Sequence, residues 1–168
     1  MLDYVLVPLD GSHLAESALE HAMKIVKPEG TLILLTVLQT PEYPIYDFYP
    51  MTTTMAQKYD KTFSDALPRA KEYLAGIAAN IEEKSKLLVS YYAEVGDPAE
   101  VIVKIAQDHH VQAICMSTHG RSGFTRWLFG SVTAKVLATG YCPVYVVPAQ
   151  QMEKRKTSEL VAAKHNGQ

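Results

Sequence analysis

The chain has 168 residues, enough for one domain of ordinary size to close a hydrophobic core without disulfides or a structural metal. Hydrophobic residues make up 48% and charged residues 20%, which excludes a disordered or fibrous chain. Its 16 Lys and Arg against 18 Asp and Glu leave a formal charge of -2, without the basic excess by which nucleic-acid proteins neutralise phosphate.

Residues 4–9 are a continuous apolar run ended by Asp10, Gly11 and Ser12, the pattern of a strand buried on both faces. Apolar pairs then recur at Leu14/Ala15, Ala18/Leu19, Ala22/Met23 and Ile25/Val26, with Glu16, Glu20, Lys24 and Lys27 between them, predicting a helix with one wet face. Pro28, Glu29 and Gly30 are expected to close that helix, and residues 31–38 read as a second fully buried strand. Strand, helix, strand demands a parallel pair with a right-handed crossover.

A proline-punctuated loop over residues 39–54 carries Tyr43, Tyr46, Phe48 and Tyr49, and is open to three uses: a lid, a partner contact or a cover for the sheet. Tyr59, Phe63, Leu67, Ala70, Leu74, Ile77 and Ile81 keep helical spacing over residues 55–84, so a helix is expected there, bent or split near Pro68. Residues 87–94 form a third strand whose mixed character places it nearer an edge. Asp97, Pro98 and Glu100 mark a helix start, with a capping carboxylate, a first-position proline and a capping-box glutamate. Val101, Ile102, Ile105 and Ala106 face the core up to His109 and His110, which are expected to cap the helix end or face solvent rather than bind metal.

Residues 111–117 are the fourth strand and 118–129 a glycine-bearing loop; Gly130 and Ser131 open a helix to about residue 139, and residues 143–147 are the fifth strand. The expected class is α/β: a doubly wound, five-stranded parallel sheet of order 3-2-1-4-5, Rossmann-like, over residues 1–148. Residues 149–168 read as a frayed helix or disordered tail without an assigned role. The first strand begins too close to Met1 to leave room for a signal segment, and no apolar run approaches the ~18 residues of a membrane span. Cytoplasmic residence without membrane insertion is therefore expected, with Cys115 and Cys142 as reduced, buried small hydrophobes.

In such a sheet the ligand crevice lies beyond the carboxyl ends of the strands where the winding reverses, here between strands one and four. The loop after strand one supplies Asp10, Gly11 and Ser12; the loop after strand four supplies Ser117, His119, Gly120, Arg121 and Gly123 and runs on to Gly130 and Ser131. Gly120 and Gly123 permit close backbone approach, and the helix start at Gly130-Ser131 offers amide donors suited to phosphate, with Arg121 and Arg126 as further charge. The same glycines also serve simple turns. Neither the Walker pattern nor the dinucleotide glycine fingerprint is present, which argues against P-loop hydrolysis and hydride chemistry. Ser12 and Ser131 read as helix caps rather than nucleophiles, and His119 as a structural hydrogen-bonding group.

Val5 to Ser12, Gly96-Asp97-Pro98, Met116 to Gly123, Gly130-Ser131-Val132 and Cys142-Pro143-Val144 together resemble the universal stress protein family over residues 1–148. The family's nucleotide pattern, G-x-x-G-x9-G-[ST], aligns on Ser117, Gly120, Gly130 and Ser131, with serine in place of the first glycine. The resemblance implies ATP as ligand, with Mg2+ or Mn2+ admissible on its phosphate oxygens. It implies Asp10 and the backbone near Val37 at the adenine and ribose end, Met116 and Ser117 along the ribose, and Gly120, Gly130, Ser131 and Val132 around the phosphates. Pro8, His119, Arg121 and Gly123 complete the expected nucleotide-binding set. It also implies a homodimer through the last strand, residues 143–147, and an ATP-bound regulator acting on a client protein. A slow ATP hydrolase is the alternative enzyme reading, without an assigned catalytic residue. A nucleotide-free adaptor, its pocket closed by Ser117, is the alternative binding-module reading.

Overall fold

A computed structural model of the chain describes residues 1–39, 53–118 and 129–148, with side chains described throughout except over 53–60. In order these residues form β1 (Leu2–Pro8), α1 (His13–Ile25), β2 (Val26–Gln39), α2 (Thr53–Lys84), β3 (Leu88–Gly96), α3 (Pro98–Asp108), β4 (Ala113–Ser117), α4 (Ser131–Thr139) and β5 (Val144–Val147). The five strands lie in the order β3-β2-β1-β4-β5, all pairs parallel, as the sequence predicts. The aromatic loop over 40–52, the glycine loop over 119–128 and the tail over 149–168 lie outside the described residues.

Strands send successive side chains to opposite faces, so each continuous apolar run feeds two cores. Val5, Val7, Leu32, Leu34 and Cys115 pack with Ala15, Ala18 and Ala22 of α1 and with Leu74, Ala78 and Ile81 of α2. Leu6, Ile33, Leu35, Ile114 and Met116 pack on the other face with Ile102, Ile105 and Ala106 of α3 and Val136 of α4. Two helices on each face make the sheet doubly wound, and the winding changes face between β1 and β4. The mixed strand β3 is an edge strand, as its pattern indicates, and β5 is the other.

Four local readings are corrected. Helix α1 ends at Ile25, because Val26 already pairs with Leu2 of β1 before the chain loops out and pairs again at Thr31 with Tyr4. Glu29 turns that excursion with φ 63, and Gly30 is buried where a Cβ would sit 2.8 Å from the Val26 side chain and 2.9 Å from the Lys27 carbonyl. Helix α2 is not split at Pro68 but continues through it. Pro68 is exposed, so water can satisfy the carbonyl that loses its partner there. Ser131 is not a cap: Gly130 holds the N-cap position of α4, with φ -65 and ψ 161, and its carbonyl starts the helical ladder by accepting from the Ala134 N–H at 2.9 Å. Cys115 is fully buried, whereas Cys142 is only partly so; both are free thiols.

Asp97 caps α3, its Oδ1 accepting from the Ala99 and Glu100 N–H groups at 2.9 and 3.1 Å, while Oδ2 accepts from Lys135 Nζ of α4 at 3.0 Å. The Glu100 N–H and then Lys135 hold this carboxyl below the usual carboxylate range. His109 occupies the C-cap of α3 with its ring 4.8 Å from that of Tyr92, and His110 follows with φ 50.

Candidate functional site

The pairing of β1 with β4 covers Val5–Ala113 and Leu6–Ile114, yet β1 continues to Pro8 and β4 to Ser117. The two strands therefore part at their carboxyl ends, where their connections leave for opposite faces. This is the place at which an open parallel sheet offers a ligand crevice.

On the β1 side the chain beyond Pro8 is fixed to β2. The Leu9 N–H donates to the Leu35 carbonyl at 2.7 Å, and the buried Thr36 hydroxyl donates to the Leu9 carbonyl at 3.0 Å. Leu9 thus hands Asp10 to the crevice rim with its backbone direction set. Gly11 then turns with φ 80, a conformation that costs a side-chain-bearing residue steric strain. Asp10 Oδ1 accepts from both the N–H of Ser12, at 3.0 Å, and its hydroxyl, at 2.6 Å. The Ser12 Oγ in turn accepts from the Ala15 N–H at 3.1 Å and caps α1. Carboxylate, hydroxyl and helix amide form one chain of hydrogen bonds, and Ser12 is a cap, as expected. Val37 follows Thr36 at the end of β2, partly buried beside this rim.

On the β4 side Met116, Ser117 and Thr118 are all buried, with exposures of 6%, 7% and 6%. The Thr118 N–H donates to the Val147 carbonyl of β5 at 3.1 Å, so β4 remains paired up to its exit. Two bonds then bring α4 back to the same point. The Gly130 N–H donates to the Thr118 carbonyl at 2.5 Å, and the Thr133 hydroxyl donates to the Ser117 carbonyl at 3.1 Å. Helix α4 consequently begins at the carboxyl end of β4. Its N-cap is a glycine with no side chain to cover the first amides, and the first helical residue, Ser131, is exposed. A helix start carries unsatisfied N–H donors and about half a positive charge, so this end of α4 favours an anion.

A profile described as the universal stress protein family matches residues 1–148. The chain belongs to the universal stress protein family. Universal stress protein MJ0577 of Methanocaldococcus jannaschii is 34% identical over 167 residues, spanning 94% of this chain and 98% of that protein. A solved structure of MJ0577 superposes with a TM-score of 0.72 at 32% identity, over 88% of this chain and 96% of that one. A universal stress protein family protein from Arabidopsis thaliana, solved with AMP bound, shares the fold with a TM-score of 0.55 at 15% identity, over 88% and 94% of the two chains.

Of the residues that the universal stress protein pattern nominates, Pro8, Asp10 and Val37 stand on the β1–β2 rim and Met116 and Ser117 at the end of β4. Gly130, Ser131 and Val132 form the start of α4. His119, Gly120, Arg121 and Gly123 lie outside the described residues, as does Arg126. Two residues escaped the sequence reading: Thr36, which fixes the exit of β1, and Thr133, which fixes the start of α4. A lone hydroxyl inside an otherwise apolar strand or helix face was the available signal in both cases. A separate groove of about 430 Å³ between α3 and α4 is lined by side chains of both charges, including Glu100, Lys104, Asp97 and Lys135. It receives none of the crevice residues. Among the described residues no three His, Cys, Asp or Glu side chains gather to hold a metal, and no helix is long and apolar enough to cross a membrane.

Proposed function

We propose that this universal stress protein binds ATP across the β1–β4 crevice and acts in the cytoplasm as a homodimer, its nucleotide state setting a surface read by a client protein during stress. The observation that carries this reading is the start of α4 without a side-chain cap, held at the crevice by the Gly130 N–H donating to the Thr118 carbonyl and the Thr133 hydroxyl donating to the Ser117 carbonyl. Phosphate there meets amide dipoles and the Ser131 hydroxyl. In this reading Gly120 and Gly123 permit close backbone approach to the phosphates, His119 and Arg121 are counted among the nucleotide-binding residues, and Val132 adds an amide. Asp10 belongs at the ribose or base end, because a carboxylate beside phosphate would repel it. Pro8 and Val37 then face the adenine, and Met116 and Ser117 the ribose. A divalent cation, Mg2+ or Mn2+, enters only as a partner of the phosphate oxygens.

Calorimetric titration of the purified protein with ATP tests the site. Ser131→Ala is expected to weaken binding by about 1.5 to 3 kcal/mol, the worth of a hydrogen bond to a charged group. Wild-type protein that takes up no ATP rejects the reading, and an unchanged Ser131→Ala affinity rejects that residue's part in it.

The homodimer draws support from β5, an edge strand with exposed Tyr145 and, nearby in the chain, exposed Tyr141 and Leu137. An edge of this kind pairs with another chain unless something blunts it. Sedimentation is expected to give twice the chain mass, and Tyr145→Asp to shift the protein toward monomer; a wild-type monomer at micromolar concentration would overturn the dimer.

A further inference from the structure

We infer that Thr133 is a positioning residue for the phosphate end of the nucleotide, an inference that rests on the ATP-binding reading above. Thr133 is the third residue of α4, exposed by only 3%, and its hydroxyl donates to the Ser117 carbonyl 16 residues earlier in the chain. At the third position of a helix the local alternative for a threonine hydroxyl is the N-cap carbonyl three residues back. Here the hydroxyl leaves its helix and bonds to the end of a strand. Packing alone does not call for it, since valine has nearly the same shape and serves at Val132 and Val136 of the same helix. What the hydroxyl adds is a fixed distance between the first turn of α4 and the last residue of β4.

That turn carries the amides assigned to phosphate. Donors aimed at a charged oxygen lose strength steeply with small displacements, so the bond to Ser117 sets their aim. Of the other ties on α4, the Gly130 N–H to the Thr118 carbonyl holds the N-cap by backbone alone, and Lys135 to Asp97 has a lysine side chain that is 61% exposed. Exposed ion pairs contribute little, so the seat of the helix is fixed from the inner side.

The test is titration of the full chain with ATP and, separately, with adenosine, which has no phosphates, alongside thermal melting. Thr133→Val should weaken ATP binding about tenfold, a partial loss of charge-assisted hydrogen bonding, and adenosine binding less than about twofold. Thr133→Ser keeps the hydroxyl and should retain ATP affinity, while Lys135→Met should stay within about threefold of wild type. Should the valine variant not fold, Thr133→Ala against Thr133→Ser reads the same difference. Serine retaining affinity that alanine loses supports the role, and equal affinities overturn it. Thr133→Val with wild-type ATP affinity, or with ATP and adenosine weakened in equal proportion, overturns the positioning role alone. Wild-type protein without ATP affinity overturns the reading beneath it and this inference together.

Discussion

Leu6→Ala is expected to remove about 3 to 5 kcal/mol of folding stability, the upper range for truncating a buried leucine. Leu6 is fully buried at the middle of the central strand, with Ile33 of β2 and Ile114 of β4 directly beside it on the same face. All three belong to the core closed by α3 and α4. Strand neighbours locked by ladder hydrogen bonds cannot collapse into the space that a missing isobutyl group leaves, so most of the cavity persists and its cost adds to the lost transfer energy. A domain of this size is held by roughly 5 to 15 kcal/mol, so the substitution takes a large share. Urea unfolding reads the effect as a lower midpoint at unchanged slope. Leu88, on the edge strand and 61% exposed, is the control, and its truncation should cost less than about 0.5 kcal/mol. A Leu6→Ala loss below about 1 kcal/mol would mean that α3 and α4 are not closed over β1. The same core includes Val136, so loosening it also loosens the helix that starts at the crevice.

The strands were legible because burial on both faces leaves an unbroken apolar signature. β1, β2 and β4 carry it, and the mixed run of β3 marks an edge in the sequence as in the structure. Asp97 and Pro98 were legible as a helix start because capping is local chemistry, fixed within three residues. The same locality explains the misses. Val26 completes an apolar pair with Ile25 and so reads as helix, but the pairing with Leu2 that makes it strand is a long-range event absent from its neighbourhood. Ser131 reads as a cap because serine caps helices well. Which residue is the N-cap was decided instead by the Gly130 N–H bonding to Thr118 across the loop. Thr36 and Thr133 act through carbonyls 27 and 16 residues away, at Leu9 and Ser117, and no periodicity encodes such a bond. At the site, then, residue types and spacings showed which loops meet, while the bonds that fix those loops became visible only in three dimensions.

Raising the pH from about 9 to about 11 is expected to remove roughly 2 to 3 kcal/mol of stability through Cys115 alone. Its side chain is fully buried between β4 and α1, with Sγ donating to the Ala18 carbonyl at 3.3 Å, and burial pushes the thiol from 9.0 up to about 11. Below pH 9 the thiol is protonated in both states, so the contribution is fully present. Between the two values the unfolded chain releases its proton and the folded one does not. The unfolded state then binds fewer protons, and stability falls by about 1.4 kcal/mol per pH unit until the folded thiol also ionises. Wild type must be compared with Cys115→Ala rather than read alone, so that contributions other than this thiol cancel. The alanine variant starts lower, having lost packing against α1, and should follow a flatter course through that interval. Parallel curves would show that ionising this thiol costs the folded protein nothing, which is incompatible with a sulfur closed between the sheet and α1. Thiol reagents give the independent check at neutral pH. Cys142 is only partly buried and should react first, whereas Cys115 should react only at the rate at which α1 lifts from β4.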